Sequence, residues 1–234
     1  MEATAAVERR QPRETALQRL ARQIGEFGLA LGRLALLAVV LTPILLVSFL
    51  TIDLPVHALD GLFGADAALK PSNWLTRGGF VMAFAPFIAI LFARKYGGDE
   101  ASRVVTAAWG LAALAVFAEL SYLTPTLVEG DMPSVRFTVV FVSSAMAGQY
   151  FAASAYDILR GGLRWWRAPL IAALSSYVVQ GLIYFPGVYL GASDPWLNWM
   201  VGDFAIKAAI ALGFLPVYAA LRKTFKPKGG YGGG

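Results

Sequence analysis

The stretch that decides the fold is Val201-Gly-Asp-Phe-Ala-Ile-Lys-Ala-Ala-Ile-Ala-Leu-Gly-Phe-Leu-Pro-Val-Tyr218, an apolar run that carries an acid and a base. It reads as part of a membrane span, since crossing about 30 Å of hydrocarbon takes about 20 apolar residues at about 1.5 Å each. Asp203 and Lys207 are four positions apart, so a helix sets them on one face, one turn above the other. An ionisable side chain at that depth costs roughly 2.5–3.5 kcal/mol on insertion scales, so the pair marks the first place to look for function.

The rest of the chain agrees. Of its 234 residues, 57% are hydrophobic and only 15% charged, and apolar residues run continuously instead of forming stripes. Six spans are expected, at about 29–51, 78–93, 104–124, 137–159, 169–190 and 198–221, the second short and holding Pro86. The expected fold is therefore an all-α, six-helix integral membrane bundle over residues 29–223. A basic segment, 1–28, precedes it, with a short amphipathic helix over about 17–27 lying on the membrane surface, and a glycine-rich tail, 224–234, follows. With the N-terminus placed in the cytoplasm, 16 of the 20 Lys and Arg residues fall on the inner side. The positive-inside rule then puts both termini of this multi-pass protein in the cytoplasm.

Composition removes several function classes. Without cysteine, disulfides and thiolate metal sites are impossible, and the single histidine, His57, cannot build a histidine-rich centre. Ser-x-x-Lys, a glycine-rich phosphate loop and His-Glu-x-x-His are all missing, so neither an enzyme nor a cofactor is expected. The net charge of +5 follows the membrane pattern and not a nucleic-acid partner.

Within the spans, Glu119 and Asp203 lie at matching depths, each about five residues from the same side, which suggests a Glu119–Asp203–Lys207 cluster. Such a cluster suits a polar substrate or proton-coupling site, and equally an ion pair that only locks two helices together. Gln149 and Gln180 can each donate and accept, as recognition of a heterocycle's edge requires, or can serve as ordinary interhelical bonds of about 1 kcal/mol. The loop Arg160-Gly-Gly-Leu-Arg-Trp-Trp-Arg-Ala-Pro169 reads as a headgroup anchor, and Arg94-Lys-Tyr-Gly-Gly-Asp-Glu100 as part of a tight turn between spans.

Several segments resemble the queuosine precursor transporter family, also called the vitamin uptake transporter family. They are Thr76-Arg-Gly-Gly-Phe80, Arg94-Lys-Tyr-Gly97 with Ala101-Ser-Arg-Val-Val105, Arg136-Phe-Thr with Gly148-Gln149, Arg164-Trp-Trp-Arg-Ala-Pro169, and Asp203-x-x-x-Lys207 with Leu215-Pro-Val-Tyr218. The resemblance extends over about residues 45–223. It implies import of 7-deazapurine bases such as preQ0 and preQ1, with Gln149, Asp203 and Lys207 as pocket residues; Gln180 and Glu119 join them as candidates. The chain also departs from the family pattern. Phe49, Ile90, Ala152 and Gln180 stand near places where the family tends to carry an asparagine or an acid. The expected partners are thus the bilayer and a small heterocycle. The loss of polar lining raises an alternative, a repurposed bundle acting as an accessory or scaffold subunit of a larger membrane complex, and homo-oligomerisation is left open.

Overall fold

The computed structural model describes residues 15–62, 66–123 and 133–227. Among these the protein is helical, and its single β-type contact is an isolated bridge between Pro55 and Thr76. Helix α1 spans Ala16–Leu50, α2 Arg77–Met82, α3 Ala85–Tyr96, α4 Gly98–Leu123, α5 Val135–Leu159, α6 Arg167–Tyr189 and α7 Trp196–Leu221. With α2 and α3 taken together, six helical segments are long and apolar enough to cross a membrane. The expected all-α bundle is therefore present. The N-terminal tail before Thr15 and the end of the glycine-rich tail lie outside the described residues.

Two expectations need correction. The surface helix over 17–27 is not a separate element, because α1 runs unbroken for 35 residues from Ala16 through the first span. Neither Gly25 nor Gly28 stops it, and Pro43, within the helix, does not end it either. A capping box starts it, with Thr15 Oγ1 accepting from Gln18 N and Gln18 Oε1 accepting from Thr15 N. The second span is not one short helix but two, α2 and α3, separated at Ala83 and Phe84. Proline explains the interruption. An unbroken helix would bond the Met82 carbonyl to the N–H of residue 86, and Pro86 has none.

The helices associate through small side chains. Lipid tails are as apolar as leucine, so close packing rather than expulsion from water holds such helices together. Ala85, Ala89 and Ala93 of α3 are fully buried, as are Ala101 and Ala108 of α4, Ala152 and Ala153 of α5, and Ala172 and Ala173 of α6. The most extensive contact brings α5 onto α6, where Gly148 leaves room for the Ser176 backbone. Large apolar side chains face outward instead, with Leu36, Leu114, Phe117 and Val201 each well over half exposed, as a lipid-facing surface requires. The most enclosed element is α3, which packs against α4, α5 and α6.

The turn between α3 and α4 follows its sequence. Gly97 has a φ of 95°, a left-handed conformation that favours glycine. Arg94 and Lys95 sit in the last turn of α3, and Asp99 and Glu100 in the first turn of α4, each sign suited to its helix end. At the opposite end of the bundle, the described residues of the connection over 51–76 form three short 3-10 turns. There Asp60 accepts from Ser72 N at 2.9 Å, which holds its carboxyl below the ordinary value. That contact is therefore present above the ordinary carboxylate pKa and is lost as pH falls through the lowered one.

Gly78 meets α1 more closely than any side chain would permit. Ser48 Oγ donates to the Gly78 carbonyl at 2.6 Å, and a Cβ on Gly78 would overlap the Ser48 carbonyl and the backbone of Ile52. Gly78→Ala is expected to destabilise by about 1–3 kcal/mol or more, the usual cost of overpacking. Gly110→Ala is the matched control, because nothing stands within 4 Å of the added methyl. Thermal unfolding of the two variants in one detergent checks the difference.

Candidate functional site

Lys207 is the centre of the polar cluster. One helical turn separates it from Asp203, and its Nζ lies 2.7 Å from Asp203 Oδ2. The same ammonium donates to Gln180 Oε1 of α6 at 3.2 Å and lies 6.0 Å from the centroid of the Tyr177 ring, at the outer reach of a cation–π contact. All four residues are buried. The cluster therefore joins α6 to α7 through one cation and three different acceptors.

Chemistry assigns the remaining atoms. Because Gln180 accepts from an ammonium through its oxygen, its amide N–H groups point elsewhere. Asp203 keeps a second carboxylate oxygen beyond the one that meets Lys207. Both residues line a cavity of about 30 Å3 with Trp74, Leu75, Phe141 and Tyr184. That volume holds one or two waters. It therefore presents an anionic acceptor and an amide donor beside aromatic walls. Trp74 and Leu75 belong to the 51–76 connection and pack with Phe185 and Trp199, closing the cavity on that side. Trp199 Nε1 donates to Ala68 O at 2.9 Å, which ties the connection to α7.

The sequence model of the family described as "Putative vitamin uptake transporter" matches residues 76–221. The chain belongs to this family. No curated protein and no solved structure matches it. The matched region runs from the N-cap of α2 to the end of α7, so all the polar residues of the cluster lie within the transporter family's own part of the chain.

The remaining candidates take different places. Gln149 is buried one position from Gly148, but it faces α4 and α2. Its Oε1 accepts from Trp109 Nε1 at 3.2 Å, and its Nε2 lies 3.6 Å from Met82 Sδ. It does not line the cavity. Glu119 is exposed on α4, which packs against α1, α3 and α5 and not chiefly against α7. Matching depth did not bring it to Lys207, because depth fixes height in the membrane and not which helices are neighbours. Ile90 and Ala152, two of the departures from the family pattern, are fully buried in one apolar cluster. Each is thus apolar beside the other, and neither position leaves an unpaired charge. Phe49 packs against Phe141, 6.4 Å between centroids.

Two buried arrangements escape the sequence reading. Tyr177 Oη donates to the Ala83 carbonyl at 2.7 Å, across from the break in the second span. Arg94, read from sequence as a turn residue, is instead buried, with Nη1 3.3 Å from Tyr156 Oη and 3.4 Å from Tyr218 Oη. Pro86 was the available signal for the first, since a helix without its N–H leaves carbonyls that need donors.

Removing one member of a buried ion pair strands the other, whereas replacing both by apolar groups does not. Lys207→Met is therefore expected to cost about 3–5 kcal/mol, and Asp203→Leu with Lys207→Met to lie close to the parent protein. Unfolding midpoints in detergent distinguish the two.

Proposed function

We propose that this chain is a transporter that carries a 7-deazapurine base of the queuosine-precursor type across a bacterial inner membrane, with Asp203 and Gln180 binding its edge. The observation behind this reading is a buried cavity whose wall holds Asp203, Gln180 and Lys207 together, with the ammonium between the carboxylate and the amide oxygen. A deazaguanine edge offers adjacent N–H donors beside a carbonyl acceptor, which calls for a carboxylate next to an amide donor. Lys207 holds Gln180 Oε1 and one carboxylate oxygen of Asp203, so both groups are oriented before a ligand arrives. Tyr184 and Phe141 supply aromatic surface for a planar ring.

The cavity is roughly tenfold smaller than the ~300 Å3 at which ligand pockets begin. A base enters only when the bundle opens, which is the behaviour of an alternating-access carrier. A second copy, a larger complex or a helix lock needs no such opening.

Expression in a host lacking both synthesis and uptake of the base is expected to restore queuosine in its tRNA. Asp203→Asn, which removes a charge-assisted hydrogen bond, should lower initial uptake by about 10- to 100-fold. The folded pair Asp203→Leu with Lys207→Met should abolish uptake. Absence of restoration despite good membrane expression refutes the reading, and so does full uptake by the apolar pair. Co-purification with a much larger assembly would instead favour the accessory-subunit alternative.

A further inference from the structure

The break in the second span sits against the polar cluster, and its backbone shows why. In a continuous helix the Ala83 carbonyl would accept from Phe87 N, but Phe87 N donates to Phe84 O at 3.1 Å. Residue 86, the other candidate donor, is proline. The orphaned carbonyl takes its hydrogen bond from Tyr177 Oη instead. Tyr177 is fully buried, so no water competes for that carbonyl along its hydroxyl. The ring of the same residue faces Lys207 Nζ. One side chain therefore touches both the charged pair and the backbone of the discontinuity.

The first turn of α3 continues the contact. Phe87 meets Tyr177 edge-on at 6.4 Å and stacks on Phe214 of α7 at 3.9 Å. Phe214 lies two turns beyond Lys207, toward the end where α1 begins and α7 finishes. Tyr177, Phe87 and Phe214 thus stand between the cavity and that end of the bundle. The far end of α3 is packed in the bundle, with Leu91, Phe92 and Ala93 buried. Arg94 reaches Tyr156, Tyr218 and the Arg222 carbonyl at 3.3–3.4 Å, and among the described residues no carboxylate pairs with it. Arg160 Nη1 adds a hydrogen bond to Ala93 O at 3.4 Å, so swinging α3 breaks long hydrogen bonds and apolar packing but, among the described residues, no ion pair of Arg94.

We propose that α3 is a gate hinged at Ala83 and Phe84, and that Tyr177 couples the state of the Asp203–Lys207 pair to that hinge. This rests on the transporter reading for its purpose, but the coupling itself involves only residues within the chain. When the ammonium shifts toward a ligand, the Tyr177 ring loses its cation. The hydroxyl's hold on Ala83 O then changes, and Phe87 is free to leave Phe214. Tyr177 is a positioning residue in this scheme, acting on the gate and not on the substrate.

Hydrogen exchange measured by mass spectrometry on the full chain in lipid nanodiscs tests the coupling without any substrate. Tyr177→Phe keeps the ring and removes the hydroxyl. It is expected to speed exchange across residues 83–91 by about tenfold, the factor of one ordinary hydrogen bond, with α5 peptides unchanged. Asp203→Asn with Lys207→Gln, chosen to leave no stranded charge, should alter the same amides several-fold in the parent background. In the Tyr177→Phe background it should alter them less than twofold. Equal changes in both backgrounds, or none in the parent, overturn the proposal. Uptake of labelled preQ1 by the parent protein is measured alongside. Coupling without preQ1 uptake leaves the gate standing and removes the substrate; uptake without coupling does the reverse.

Discussion

In hydrocarbon no water is available to a backbone amide or carbonyl, so every such group must find its partner within the protein. This constraint shapes the second span more than any other part. Pro86 denies a hydrogen-bond donor to the carbonyl one turn earlier, and Phe87 turns its own N–H to Phe84, so the span can exist only where something else supplies a donor. Tyr177 supplies it, and the need for that hydroxyl fixes the height and rotation of α6 against α3. The position of Gln180, one turn farther along α6, follows, and with it the meeting with Lys207.

The same economy explains the side chains that fill the bundle. Alanine and glycine bring helices close enough for dispersion contacts across their whole length, which is where association in lipid draws its stability. Buried polar groups are few and most are engaged, as with Gln149 between Trp109 and Met82. Ser176 Oγ, where α6 meets Gly148, is an exception among the described residues.

Much of this was legible in the sequence. Apolar runs of the right length gave the last three spans to within a few residues, and charge at hydrocarbon depth singled out Asp203 and Lys207, whose helical spacing places them in reach of each other. What failed depended on neighbours. Glu119 has the right depth and the wrong helix, since depth follows from counting residues while adjacency follows from packing. Arg94 read as a loop residue because basic residues flank spans, whereas a helix that lies wholly within the bundle carries its last turn inside as well. The amphipathic stretch near the N-terminus was misjudged for a different reason. A weakly polar face does not by itself stop a helix, and with no proline or helix-ending cap between Phe27 and Leu29 the propensity to continue prevails.

That uninterrupted first helix has a consequence of its own. At 35 residues it is about 52 Å long, whereas the hydrocarbon is about 30 Å thick. About 15 residues of helix therefore project past the apolar slab, through the headgroups and beyond, carrying Arg19, Arg22 and Glu26. The boundary between greasy and polar surface along this rod is gradual. The buried residues of α1 begin only at Leu37, where α4 and α2 take hold of it, so the first half of the rod stands as exposed helix beyond the packed bundle.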